Sequence, residues 1–131
     1  MAKIASGGEL SRIVLALKEL QARERAEETL IFDEVDAGIG GRTADMVGQG
    51  LKALARRHQV ICITHLPQIA CYGEHHFAVR KGIRQGRTTI SLDGLSGEAR
   101  LEEIARMLGG VKVSTKTRAH ALEMLEQAQK K

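Results

Sequence analysis

The sequence predicts an α/β fold in which parallel strands are joined by crossover helices, followed by a β-hairpin and C-terminal helices. Three observations predict it. Thr29-Leu30-Ile31-Phe32 and Val60-Ile61-Cys62-Ile63 are short, continuous apolar runs, the pattern of strands buried on both faces. Between them Met46, Val47, Leu51 and Leu54 recur at helical intervals, as a crossover helix requires. Beyond them, His76–Lys81 and Arg87–Leu92 flank a turn near Ile83–Gly86, and two amphipathic stretches close the chain.

Taken in order, Leu10, Ile13, Val14, Leu17 and Leu20 line one face of a helix over Leu10–Ala26, with Glu and Arg on the other. The strand Thr29–Phe32 runs into three acids among four residues, Asp33-Glu34-Val35-Asp36, and so delivers carboxylates at its C-terminal end. Gly38-Ile39-Gly40-Gly41 is a loop. The helix from Thr43 to about Arg57 is weakened by Gly48 and Gly50. The second strand ends at Thr64-His65. Two strands are too few for a stable sheet of this kind. The hairpin follows, then a helix around Leu101, Ile104 and Leu108 ended by Gly109-Gly110, and a last helix from about Ser114 to Gln129.

With 131 residues the chain is one domain or part of one. Its 27% charged and 43% hydrophobic residues give an ordinary globular balance. No apolar run approaches the roughly 18 residues of a membrane span, and the N-terminus lacks a signal-like apolar stretch, so a cytoplasmic protein without membrane partners is expected. Lys and Arg number 20 against 16 Asp and Glu, a net +4 that permits an acidic partner. Aromatic residues are only 2%, so nucleic acid would be held through phosphates and not by base stacking. A Cys62–Cys71 disulfide is not expected, because Cys62 lies in an apolar run suited to a reduced thiol.

Four short features carry the chemistry. Ser6-Gly7-Gly8-Glu9 opens a helix and offers a hydroxyl, free backbone N–H groups and the positive end of the macrodipole, which suit a phosphate; the same residues also make a plain N-cap. Asp33 and Glu34 at a strand end suit a hydrated Mg²⁺ and a general base, or simply begin a loop. The glycine-rich loop and His65 at the second strand end complete the series.

In this order the features resemble the C-terminal lobe of an ABC/SMC-type P-loop ATPase head. Ser6–Glu9 resembles its signature motif, Leu30-Ile31-Phe32-Asp33-Glu34 its Walker B strand, Val35–Gly40 its D-loop and His65 its switch histidine. The longer matches Lys3–Arg12, Phe32–Gly40, Thr64–Ala70 and Ala105–Gly110 resemble the SMC-like branch that serves bacterial double-strand break repair and recombination. The resemblance implies ATP and Mg²⁺ as cofactors. Asp33 would hold Mg²⁺ through water, Glu34 would orient and deprotonate the attacking water, and His65 would touch the γ-phosphate. Ser6, Gly7, Gly8 and Glu9 would bind the ATP of an opposite head, so that ATP joins two heads into a homodimer on DNA, in a nucleoid-associated setting. Such phosphoryl transfer needs mainly positioned charge and a positioned water.

Two departures stand out. Gly40 occupies a D-loop position where many ABC and SMC proteins carry aspartate, though glycine is common in the repair branch, so the D-loop contact stays unassigned. More important, no G-x-x-x-x-G-K-[ST] occurs: Gly38–Thr43 has Arg42 where lysine belongs, and Val111–Thr115 lacks the glycine before Lys112. The chain is therefore expected to be the C-terminal half of a head, with the Walker A lobe of the same protein as partner, and to be inactive alone. The alternative is a non-catalytic dimerisation or DNA-clamping module that uses ATP only as glue.

Other constellations are weaker. Cys62, His65, Cys71, His75 and His76 have spacings too loose for a zinc site. Ser6, His65 and Asp33 lack the strand–turn–helix elbow of a hydrolase nucleophile. Arg80, Lys81, Arg84 and Arg87 read first as a solvated strand edge whose charge discourages pairing, with DNA-backbone contact as the rival.

Overall fold

The computed structural model describes residues 16, 29–84 and 86–130. Ser6, Gly7, Gly8 and Glu9, and the helix expected over Leu10–Ala26 apart from Ala16, lie outside the described residues. The described elements are β1 (Thr29–Phe32), α1 (Gly41–Leu54), β2 (Gln59–Cys62), a short α2 (Pro67–Ala70), β3 (His76–Arg84), β4 (Arg87–Leu95), α3 (Gly97–Gly109) and α4 (Thr115–Lys130). The chain is mixed α/β: β1 and β2 pair in parallel through the α1 crossover, with Phe32 opposite Cys62, and β3 and β4 form an antiparallel hairpin.

α1 forms where Ala44, Val47, Leu51 and Leu54 fall on one helical face, and all four are buried. They pack on Leu30, Phe32, Val35 and Ile69. Each large side chain buried there is worth about 1.5–3 kcal/mol.

The expectation that both strands are buried on both faces is corrected by the structure. Leu30 and Phe32 point into this core, whereas Ile31 is 68% exposed and Ile61 and Ile63 are 45% and 57% exposed. Successive strand side chains alternate between faces, and α1 covers one face only. Among the described residues nothing covers the other.

The short α2 has no apolar periodicity to announce it. Its signal is Pro67 at the first helical turn, where proline's missing N–H costs nothing. Arg100 on α3 donates to the carbonyls of Cys71 at 3.1 Å and Gly73 at 2.5 Å, fastening α3 to the end of α2. α3 ends at Gly110, whose φ of 70° closes the cap as its N–H donates to Arg106 O at 2.8 Å. The Ser114 hydroxyl then accepts the Thr117 N–H at 3.1 Å and starts α4. Leu101, Ile104 and Ala105 bury themselves against Ala121 in a second core.

The hairpin is longer than expected from the sequence. Its register places Phe77, Val79 and Ile83 on the same face as Ile90 and Leu92, and these five are between 57% and 77% exposed. Cys62 and Cys71 are not joined in a disulfide. Among the described residues no helix is long and apolar enough to cross a membrane.

Candidate functional site

The parallel register brings the C-terminal ends of β1 and β2 out at one edge of the sheet. The Ile63 N–H donates to Phe32 O at 2.9 Å and carries the ladder one step further, so that the acid-bearing turn and Thr64-His65 leave the sheet side by side. Asp33 and Glu34 are exposed there, and Val35 is fully buried in the first core, which pins the turn from below.

Glu34 has φ 58°, the one positive value at a non-glycine among the described residues. Holding a residue with a Cβ in that region costs on the order of 1–3 kcal/mol, and such strain persists where surrounding contacts dictate it. Here the Ala37 N–H donates to Glu34 O at 3.1 Å, the Ile39 N–H donates to Asp36 O at 3.3 Å, and buried Val35 fixes the chain between them.

Asp36 is only 4% exposed. Its Oδ2 accepts from Thr64 Oγ1 at 2.6 Å, from the His65 amide at 2.8 Å and stands 2.9 Å from His65 Nδ1. Burial alone would raise the Asp36 carboxyl, but the hydrogen bonds from Thr64 and the His65 amide, with the charge of His65, leave it below its ordinary value. The imidazole of His65 remains 75% exposed at the sheet edge. The sequence offers no mark that separates Asp36 from the two exposed acids beside it, because its partners arrive from the other strand.

Asp33 supplies an exposed carboxylate, and among the described residues no three His, Cys, Asp or Glu side chains converge to cage a metal. That donor set fits Mg²⁺, which is commonly held by one or two carboxylates together with substrate phosphates and water. It does not fit zinc. Cys62, His65, Cys71, His75 and His76 form no cluster, and burial with the nearby charges of Asp36 and Asp33 pushes the Cys62 thiol up to about 12, away from the thiolate zinc needs. The acid beside His65 is Asp36 and not Asp33, which removes the hydrolase arrangement.

The basic run is divided. Arg80 stands 3.3 Å from Asp93 across the hairpin, whereas Lys81 lies opposite Ile90 on the other, apolar face. A surface cavity of about 350 Å³ beside α1, lined by Met46, Gln49, Lys52, Arg56 and Tyr72, holds none of the candidate residues.

No protein-family model matches the chain. Curated proteins do. It is 50% identical over 126 residues to the DNA repair protein RecN of Haemophilus influenzae, across 96% of this chain and 23% of that protein. It is 48% identical over 130 residues to the DNA repair protein RecN of Mycobacterium leprae, across 99% and 22% respectively. With the DNA repair protein RecN of Bacillus subtilis the identity is 42% over 128 residues, across 98% and 22%. The chain thus spans less than a quarter of the length of these relatives.

Proposed function

This chain is homologous to a stretch of the DNA repair protein RecN, and we propose that residues 1–131 form the C-terminal half of an ABC/SMC-type ATPase head that serves DNA repair. The observation that carries the reading is the shared sheet edge, where exposed Asp33 and strained Glu34 emerge beside a histidine tethered to the same turn. Phosphoryl transfer asks for a metal-holding carboxylate, a base for water and a group on the γ-phosphate, held by a rigid scaffold. Asp33 would hold Mg²⁺ through water, and the ion would neutralise charge on the transferred group. Glu34 would orient the attacking water and take its proton, and His65 would contact the γ-phosphate.

Ser6, Gly7, Gly8 and Glu9 would bind the ATP of a second head, joining two copies over DNA in the nucleoid. The Walker A lobe would come from the rest of the same polypeptide. Two apolar surfaces support that partner: the sheet face of Ile31, Ile61 and Ile63, and the hairpin face of Phe77, Val79, Ile83, Ile90 and Leu92. Exposed surfaces of this kind mark interaction sites, and the relatives carry more than three quarters of their length beyond this stretch to cover them.

The test is Glu34→Gln in a full-length RecN protein carrying this sequence. The change keeps shape and removes basicity, so ATP binding should persist while hydrolysis slows by about 10²–10⁴. Unchanged turnover would remove Glu34 as the base, and a wild-type protein that binds ATP without turning it over would be the glue module instead.

A further inference from the structure

We propose that Asp36 is the positioning residue of His65, fixing its imidazole as the Nδ1–H tautomer and aiming Nε2 outward from the sheet edge. The proposal rests on the reading of His65 as the residue that meets the γ-phosphate, and it adds how that ring is held.

Three groups converge on a single oxygen. Asp36 Oδ2 accepts hydrogen bonds from the Thr64 hydroxyl at 2.6 Å and the His65 amide at 2.8 Å, and His65 Nδ1 stands 2.9 Å from it in an ion-pair contact. Two of the three belong to His65, so both its backbone and its ring are referred to the same buried point. A carboxylate held ionised only accepts, which places the imidazole proton on Nδ1. The other nitrogen is then left to a ligand: Nε2 accepts when the ring is neutral and donates when it is protonated.

Asp36 is itself held. The Leu66 N–H donates to Thr64 Oγ1 at 3.0 Å, which directs the Thr64 hydroxyl proton onto Asp36. A carboxylate that orients a functional histidine through its far nitrogen fixes both tautomer and ring direction, and in metal sites loss of such a partner costs about 10–100-fold in activity or affinity. The exposure of the His65 ring makes the anchor necessary, because an imidazole that is 75% exposed has little packing to hold its rotamer.

The rival role is purely structural, a clasp between the ends of β1 and β2. A double-mutant cycle in the full-length protein separates the two. Asp36→Ala should lower kcat for ATP about 10–100-fold, with KM changed by less than about 3-fold, and should have almost no further effect when His65 is already alanine. Asp36→Asn, which keeps an acceptor oxygen, should recover most of the loss. Equal losses in the presence and absence of the His65 ring would overturn the proposal.

A second measurement needs neither activity nor a foldable Asp36 variant. In wild-type protein labelled with ¹⁵N-histidine, with the His65 signals assigned by their loss in His65→Gln, the neutral ring should be the Nδ1–H tautomer. A dominant Nε2–H tautomer overturns the proposal. If His65→Ala hydrolyses ATP as fast as wild type, the phosphate-contact reading fails on its own, and the tautomer still decides whether Asp36 holds the ring.

Discussion

The ring of Tyr72 lies so close over Gly48 that a Cβ added to the glycine would meet Tyr72 Cδ2 at 2.4 Å. Alanine is the better helix former by about 1 kcal/mol, so a Gly48→Ala change in α1 would stabilise an isolated helix. In this protein the sign reverses. Tyr72 is buried, its hydroxyl donates to Asp45 Oδ1 at 2.6 Å, and the Gln68 carbonyl stands 3.0 Å from the same added carbon. Overpacking of this kind costs about 1–3 kcal/mol. Urea unfolding should therefore show Gly48→Ala to be less stable than wild type, and a gain in stability would mean that the Tyr72 contact yields freely.

The local elements were legible and their partnerships were not. β1 occupies Thr29–Phe32 as its apolar run predicts, and α3 stops at Gly110 because only a residue tolerant of φ 70° closes that cap easily. The α/β class followed from two apolar runs and the helical spacing between them, and the relatives, all DNA repair proteins, bear out the resemblance to a DNA repair family. What escaped the sequence is long-range. Gly48 reads as a flaw in a helix until Tyr72 is seen against it. Ile31 reads as buried because an apolar run does not say which of its faces the described chain covers. Asp36 reads like Asp33 until the parallel register brings Thr64 and His65 to it. The signature segment Ser6–Glu9 lies outside the described residues, so its role rests on resemblance.

Cys62 should be an unreactive thiol. Burial and the charges of Asp36 and Asp33 push it up to about 12 from its ordinary 9.0, and only the thiolate attacks alkylating reagents. At about pH 8 the folded protein should label at Cys62 on the order of 10²–10³-fold more slowly than the urea-denatured chain, as read by peptide mass mapping. The folded state keeps this proton where the unfolded chain begins to release it, so stability should also fall as the pH rises above 9.0. Equal labelling of folded and denatured chains would contradict the burial of this strand end.

His76 gives the opposite slope. Burial, and then the positive charge of Arg100, hold it below its ordinary 6.5, with Glu103 opposing. Its Nδ1 is buried with no hydrogen-bond partner, so a proton there would be unsatisfied. Below 6.5 the unfolded chain binds more protons at this site than the folded one, and stability falls as the pH drops toward the folded value. Thermal melts at about pH 7.5 and about pH 5 should show a loss for wild type that is smaller in His76→Gln. Identical losses would place the acid sensitivity elsewhere.

The proposed dimer geometry has a sharper test, because Ser6 and Glu34 of one head would serve two different ATP molecules. Full-length proteins carrying Ser6→Arg are mixed equally with proteins carrying Glu34→Gln, each variant being inactive alone. In a mixed dimer one site takes its base from the first head and its signature from the second, so both parts are intact. The other site receives both defects. With random pairing in a two-fold dimer, half of the dimers are mixed and half of their sites work, so activity should return to about a quarter of wild type. A Ser6→Arg, Glu34→Gln double mutant mixed equally with wild type is the control: every site of that mixed dimer has one broken part, so only pure wild-type dimers turn over and about a quarter of the activity remains, against about a half if both residues act within one head. If both residues acted within one head, the single mutants would never complement and each wild-type head would stay active in any pairing. Cross-linking must first show that mixed dimers form on ATP; once it does, absence of rescue counts against shared sites between heads, and about a quarter from the two single mutants, with about a quarter and not a half from the double mutant plus wild type, assigns the signature and the base to opposite partners.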